Sequence, residues 1–87
     1  MQQNGKGVKR TLGQKTEDRL MKYILDKPVK IGERIPTEDE LTELFEVGRS
    51  TVREAVKGLV TRGVLEMRRG DGTYVISTIY MGNDVLG

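Results

Sequence analysis

The chain has 87 residues, which is enough for one small domain, and a formal net charge of +2. It contains neither cysteine nor histidine, so disulfides, thiolate metal sites and the commonest general base are excluded. No apolar run approaches the roughly 20 residues that a membrane-spanning helix requires. We therefore expect a cytoplasmic protein without membrane contact that binds no metal, needs no cofactor and is not an enzyme.

Charge is distributed unevenly along the chain. Residues 33–46 are mostly acidic and include Arg34 as their only cation, whereas residues 49–69 are mostly basic. The cations of this second segment are Arg49, Arg53, Lys57, Arg62, Arg68 and Arg69. Such asymmetry is typical of a protein that turns one basic face to phosphate groups.

The N-terminal third of the sequence predicts an arm, a helix and a loop. Residues 1–14 are polar and basic, which predicts a mobile arm or an ordinary solvated terminus. Thr16 is a candidate N-cap for a first helix, which should end before Pro28. Residues 29–35 then predict a loop that contains a short extended segment.

Two helices with a short turn between them follow. Thr37 and Glu40 match a capping box, so the second helix should begin there and end near Glu46. A third helix is predicted over residues 49–62, with Gly63 just beyond its end. This spacing predicts a helix-turn-helix over about residues 38–57.

A β-hairpin is predicted next, because two strand-like runs, residues 64–69 and 73–77, flank the turn sequence Gly70-Asp71-Gly72. The predicted fold is mainly α with a small β-hairpin: a winged helix-turn-helix of three helices and a two-stranded wing over about residues 64–77. This domain should span residues 15–78. Residues 79–87 look like the start of a linker to a C-terminal domain that this chain lacks.

The third helix has one apolar and one polar side. Ala55, Leu59, Val52, Val56 and Val60 form a continuous apolar arc, and Ser50, Arg53, Lys57 and Thr61 lie opposite. A helix fits the DNA major groove, where arginine can bind guanine through two hydrogen bonds. The polar side could also be only solvated, with Thr51 and Glu54 forming a cap. Cations at the hairpin tip favour DNA, because covering the core does not require them.

Over residues 16–77 the chain resembles the GntR family of bacterial regulators. The resemblance rests on IPTEDEL at residues 35–41, VGRSTVREAV at 47–56, GVL at 63–65 and GDGTYV at 70–75. It implies a dimer that binds a short pseudo-palindromic operator in double-stranded DNA and regulates transcription. Arg49 and Arg53 would then contact bases in the major groove, and Ser50 and Thr51 would bind phosphates or assist base readout. The tip at residues 70–73 would touch the minor groove.

To these residues we add cations near the wing and on the third helix. The predicted DNA-binding residues are Arg34, Arg49, Ser50, Thr51, Arg53, Lys57, Arg69, Gly70, Gly72 and Thr73. The resemblance also implies a small-molecule effector that binds a domain outside this chain.

Three residues depart from the family pattern. Asp39 stands where the family often has arginine. The contact that this arginine makes would therefore be absent in this chain or replaced, and Arg34 is the nearest substitute. Gly48 stands where a hydroxyl residue is usual. Glu46 stands where glycine is usual, and it would be strained if its backbone were left-handed.

Three other functions are open to the same sequence. A winged helix can serve as a protein-binding scaffold, which would need an apolar groove rather than a cationic face. Single-stranded RNA binding would need exposed aromatic platforms, and the chain has one Phe and three Tyr. Catalysis would need a carboxylate pair, and the acids at 38–40 are more typical of helix-dipole partners.

Overall fold

The computed structural model describes residues 10–27 and 29–79. Its elements, in chain order, are α1 (Leu12–Asp26), α2 (Glu38–Phe45), α3 (Arg49–Thr61), β1 (Leu65–Arg68) and β2 (Gly72–Val75). The two strands form one antiparallel hairpin. This is the predicted winged helix-turn-helix. Residues 1–9 of the predicted arm and residues 80–87 of the predicted linker lie outside the described residues.

Helix α1 begins earlier than predicted. Its N-cap is Thr11, whose backbone N–H donates to Gln14 Oε1 at 2.9 Å while the Gln14 N–H donates to Thr11 Oγ1 at 3.0 Å. The prediction that Thr16 caps this helix was wrong, since its buried hydroxyl donates to the Leu12 carbonyl at 2.8 Å within the helix. A capping box satisfies two backbone donors, whereas Thr16 alone would satisfy one.

Helix α2 has the predicted bounds, and its end carries the suspected strain. Glu40 accepts from the Thr37 N–H at 2.8 Å, and its own N–H donates to the Thr37 hydroxyl at 3.2 Å. Glu46 ends the helix with φ 57° and ψ 48°, a left-handed conformation that costs a side-chain-bearing residue energy. Arg19 supports this end, because its Nη1 donates to the Phe45 carbonyl at 3.0 Å.

Helix α3 begins at the N-cap Gly48, which offers no side-chain cap, and ends within a residue of the predicted position. Gly63 follows with φ 80°, as its predicted place beyond the helix end requires. No helix within the described ranges is long and apolar enough to cross a membrane.

The core joins all five elements. Leu41 and Phe45 of α2 cluster with Val52 and Val56 of α3, as predicted, and Val47 in the turn packs against them. The other buried apolar members are Leu20, Met21, Ile24, Ile35, Leu59, Val64, Leu65 and Val75. The buried apolar stripe of α3 therefore fixes which of its sides is left at the surface.

One large apolar residue directly after the wing is exposed. Ile76 is 43% accessible, whereas its neighbour Val75 is fully buried. Ile76 is exposed because β2 ends at Val75 and successive strand residues face opposite sides. Strand β1 is one residue shorter at each end than the predicted run 64–69, whereas β2 begins one residue before the predicted run 73–77 and ends two residues before its end.

The loop before α2 contains the predicted extended segment, which pairs with β2 of the wing through backbone hydrogen bonds. Gly32 N–H donates to the Val75 carbonyl at 2.7 Å, and Ile35 N–H donates to the Thr73 carbonyl at 2.9 Å. Arg34 forms an isolated antiparallel bridge with Tyr74 between them. This pairing fixes Arg34 beside the wing.

Candidate nucleic-acid interface

The surface of α3 that the core leaves uncovered is polar and basic. Ser50, Arg53, Lys57 and Thr61 are exposed along this side. On the opposite side Val52 and Ala55 are each 1% accessible. The hydrophobic effect fixes the rotation of the helix, so the cations of α3 face solvent as a consequence of packing.

Arg53 binds a carboxylate of α2 through one edge of its guanidinium. Its Nε donates to Glu38 Oε2 at 2.8 Å and its Nη2 donates to Glu38 Oε1 at 3.3 Å. This bidentate pair uses the side edge of the group. The end edge, formed by Nη1 and Nη2, still has two N–H groups that point away from Glu38, and these match the two acceptors of guanine.

Arg49 is bound differently, by two carboxylates at once. Its Nη1 donates to Glu38 Oε1 at 3.2 Å, and its Nη2 lies 2.5 Å from Asp39 Oδ1. Both terminal nitrogens of Arg49 therefore contact carboxylates. The Nη1 of Arg53, by contrast, contacts neither Glu38 nor Asp39. The two arginines predicted as base readers differ in the part of the guanidinium they can offer.

The electrostatics of this cluster keep it charged. The hydrogen bond from Arg53 is the largest effect on Glu38 and holds its pKa below the ordinary value. Partial burial of the carboxyl opposes this lowering, and the hydrogen bond from Arg49 and the charges of both arginines add to it. The Glu38 carboxylate likewise raises the pKa of Arg53. Glu38 and Arg53 are therefore both ionised at neutral pH, and their ion pair holds the Arg53 guanidinium beside the start of α2.

The hydroxyl groups and Lys57 are uncommitted in the part of the chain that the structure describes. Neither Ser50 nor Thr51 acts as a cap, because Gly48 is the N-cap and they lie inside α3. The capping explanation for these residues therefore fails in this structure. Lys57 makes no ion pair among residues 10–27 and 29–79 and is exposed.

The two cations at the wing tip behave differently from each other. Arg68 turns back onto its own hairpin, where its Nε donates to Glu66 Oε1 at 3.0 Å and its guanidinium lies 4.1 Å from the Tyr74 ring centroid. Arg69 is exposed in the turn, next to Gly70 with φ 74°. Arg69 is therefore the tip cation available for an external contact.

Arg34 and Gly72 meet at the base of the wing. Arg34 Nη1 donates to the Asp71 carbonyl at 3.0 Å and lies 3.7 Å from the Asp71 carboxylate. A Cβ atom at Gly72 would overlap the Arg34 side chain, so Arg34 would have to shift if this residue carried a side chain. Gly72 therefore admits Arg34, while Gly70 provides the left-handed turn.

A concavity of about 370 Å³ lies between α3 and the wing. Its apolar lining includes Ile35, Leu41, Val52, Val56 and Met67, and the cations beside them are Arg34, Arg53 and Lys57. Gly72 and Thr73 of the wing close the other side. Predicted site residues from the loop, α3 and the wing thus meet around one depression, whereas Arg69 and Gly70 lie at the tip beyond it.

Sequence reasoning missed the role of the acids at the start of α2. Glu38 and Asp39 were interpreted as helix-dipole partners, yet they bind the two arginines at the start of α3. The short turn between the helices was the available signal, because it forces a steep crossing that brings segments of opposite charge together. That signal indicates proximity but not which acid binds which arginine.

A basic helix face beside a wing defines a DNA-binding domain of the winged helix-turn-helix class. The family model described as "Bacterial regulatory proteins, gntR family" matches residues 12–75. The chain belongs to this family, whose members are transcription regulators with a DNA-binding helix-turn-helix domain.

Individual relatives agree with this assignment. The chain is 42% identical over 71 residues to a putative HTH-type transcriptional regulator, RmpR, of Mycobacterium gastri, covering 79% of this chain and 26% of the relative. It is 45% identical over 53 residues to the Uxu operon transcriptional regulator of Escherichia coli, covering 61% of this chain and 21% of the relative. The chain thus spans about a quarter of the length of these curated relatives.

The fold likewise matches a solved structure of the family. Streptococcus agalactiae GntR superposes with a TM-score of 0.74 at 47% sequence identity, covering 86% of this chain and 36% of that one. The winged helix-turn-helix of this chain is therefore similar to part of a longer regulator.

Proposed function

We propose that this domain binds a short operator in double-stranded DNA sequence-specifically, with α3 in the major groove and the wing over the minor groove. The observation that carries the proposal is the Arg53–Glu38 pair, which fixes a guanidinium on the exposed side of α3 with its end edge open. A fixed fork of this kind loses little side-chain entropy when it binds guanine O6 and N7.

The remaining residues supply contacts of two kinds. Arg49 contacts a base edge beside Arg53, since both lie in the N-terminal half of α3, the part of a recognition helix that meets bases. Ser50, Thr51 and Lys57 bind phosphates, which position the helix without reading sequence. Arg34 would contact the DNA phosphate backbone from the base of the wing.

The wing makes the second contact. Arg69 is exposed beside the Gly70 turn, and Gly72 and Thr73 follow on the strand, so the tip presents a cation on a narrow backbone. Arginine favours the negative potential of a minor groove, and a glycine turn admits close approach of the DNA backbone. The tip would therefore anchor the domain one groove away from α3.

Regulation would depend on parts of a longer protein. Two such domains in a dimer would bind the two halves of a pseudo-palindromic operator, and the bound dimer would block or aid transcription. An effector molecule that binds elsewhere in the regulator would change the separation of the two domains. The support for this arrangement is the greater length of the relatives that the chain matches.

The test is a gel-shift titration on a duplex selected from random DNA and on a scrambled duplex of the same composition. Arg53→Ala should lose about 1–3 kcal/mol of discrimination, roughly 5- to 150-fold, because a bidentate base contact disappears. Lys57→Ala should weaken binding to both duplexes equally and reduce the slope of log affinity against log salt by about 1.

Lys22→Ala is the matched control, because Lys22 carries the same charge on α1 and pairs there with Asp26 at 2.9 Å. It should change neither affinity nor discrimination. Equal losses on both duplexes for Arg53→Ala would refute base contact by Arg53. Binding to a protein partner that is insensitive to salt, with no DNA shift, would replace the proposal with a scaffold function.

A further inference from the structure

We propose that Asp39 is a specificity-determining residue that selects cytosine at one position of each operator half-site. The inference deepens the proposed function and rests on it. Its starting point is the unequal exposure of two neighbouring carboxylates, since the Glu38 side chain is 34% accessible and the Asp39 side chain is 69% accessible. Glu38 lies between the two arginines, whereas Asp39 is at the outer edge of the cluster.

The hydrogen-bonding capacity of Asp39 is only partly used. Its Oδ1 binds Arg49 Nη2, and no contact to its Oδ2 occurs among residues 10–27 and 29–79. An ionised carboxylate accepts hydrogen bonds and cannot donate them. The free oxygen of Asp39 is therefore an acceptor on the same surface as the base-reading arginines.

The two carboxylate contacts of Arg49 explain why Asp39 matters for recognition. Glu38 and Asp39 occupy one terminal nitrogen each, so the end edge of Arg49 is not open to guanine in the way that the end edge of Arg53 is. If Arg49 keeps its Asp39 contact on DNA, the two side chains approach the bases together. They then present a donor group and an acceptor group side by side.

The base chemistry of the major groove selects the match. Cytosine presents only the N4 amino donor there, and its partner guanine presents two acceptors. Adenine also has an amino donor, but its adjacent N7 acceptor would face the carboxylate. A C·G pair is therefore the best partner, with cytosine N4 donating to Asp39 and guanine accepting one hydrogen bond from an Arg49 N–H that the two carboxylates do not use. Guanine or a phosphate at the place of cytosine would be repelled.

The experiment selects tight binders from random duplexes with the 87-residue chain and with Asp39→Asn, Asp39→Ala and Glu43→Gln. Wild type should enrich cytosine at one position of the half-site about tenfold over the other bases. Asp39→Asn should move that preference towards adenine, since an amide can bind adenine N6 and N7. Asp39→Ala should remove it, and the other positions of the motif should persist in both variants.

Glu43→Gln is the control, because it removes a carboxylate from the same helix at an exposed place outside the arginine cluster. It should select the wild-type motif. A motif unchanged by Asp39→Asn, or one relaxed equally at every position, would overturn the role of Asp39. Enrichment of no motif by wild type would refute DNA reading itself, which is a different outcome from a motif that Asp39 does not affect.

Discussion

Arg53 of α3 and Arg62, the C-cap of α3, each pair with a glutamate of a neighbouring helix, and the two pairs differ mainly in burial. Towards α1, Arg62 Nε lies 2.6 Å from Glu17 Oε2, with side chains 25% and 7% accessible. Towards α2, Arg53 Nε lies 2.8 Å from Glu38 Oε2, with side chains 62% and 34% accessible. The same chemistry therefore fixes helix packing on one side and leaves a cation available to a ligand on the other.

Glycine makes the buried pair possible. A Cβ atom at Gly58 of α3 would overlap the Glu17 carboxylate, and one at Gly13 of α1 would overlap the Glu54 carboxylate. Each helix thus accepts a carboxylate from the other at a position without a side chain. On the α2 side the N-cap Gly48 has open space around it, with no atom within 4 Å of an added Cβ. These close approaches of a carboxylate to a glycine lie between α1 and α3, the side that does not face the proposed ligand.

The largest expected effect is the difference between the two pairs in how much each contributes to the free energy of unfolding. Arg62→Ala removes a close partner of a carboxylate that is only 5% accessible, so it should lower the free energy of unfolding by about 2–4 kcal/mol. Arg53→Ala opens an exposed pair and should lower it much less, because solvent screens the interaction. Urea denaturation of both variants measures the difference. Equal losses would mean that burial does not distinguish the pairs.

The turns before and after α3 provide a second, smaller contrast. Glu46 precedes the helix at φ 57° and Gly63 follows it at φ 80°. Glu46→Gly should raise the free energy of unfolding by about 0.5–1 kcal/mol, because relief of left-handed strain exceeds the added entropy of the unfolded chain. Gly63→Ala should lower it by about 1 kcal/mol for the converse reason.

Thermal unfolding of these two variants checks the signs. Glu46→Ala is the control, since alanine has the same unfavourable conformation as glutamate and should give little gain. Destabilisation by Glu46→Gly would show that the glutamate side chain stabilises the fold by more than its left-handed backbone destabilises it. In that case the α2–α3 turn would not be the strained region.

The smallest effect is a shift in the titration of Glu38. Its pKa is lowered by hydrogen bonds from Arg53 and Arg49, so Arg53→Ala should raise the NMR titration midpoint of this carboxyl towards its ordinary value. Because the folded pKa is lowered, the pair stabilises the fold above the unfolded pKa. That stabilisation is lost as pH falls through the folded pKa, in the acid range.

Lys57→Ala is the comparison for this titration, because Lys57 is a cation on the same side of α3 that has no ion pair with Glu38. It should leave the midpoint nearly unchanged. An equal shift in both variants would indicate a general effect of surface charge. The Arg53–Glu38 contact would then not be the cause of the lowered pKa.

Local features of the fold were accessible from sequence. The capping box of Thr37 and Glu40, the end of α3 before Gly63 and the apolar stripe of α3 all follow from groups within four residues of one another. The start of α1 was misplaced although Thr11 and Gln14 carry the same signal, because Thr16 offered a competing cap closer to the apolar run. The error therefore concerned the choice between two local signals.

The sequence by itself determined the helices, their caps, the turn glycines and the presence of cations on the uncovered side of α3. Only the tertiary structure decided which cations are available: Arg68 stacks on Tyr74, Arg34 lies over Gly72, and Glu38 and Asp39 bind Arg49 and Arg53. The physical reason is range. Caps and helical stripes depend on neighbours within one turn, whereas Arg53 meets Glu38 across 15 residues and Arg34 meets Asp71 across 37. Which partners meet over such distances depends on the packing of the whole core.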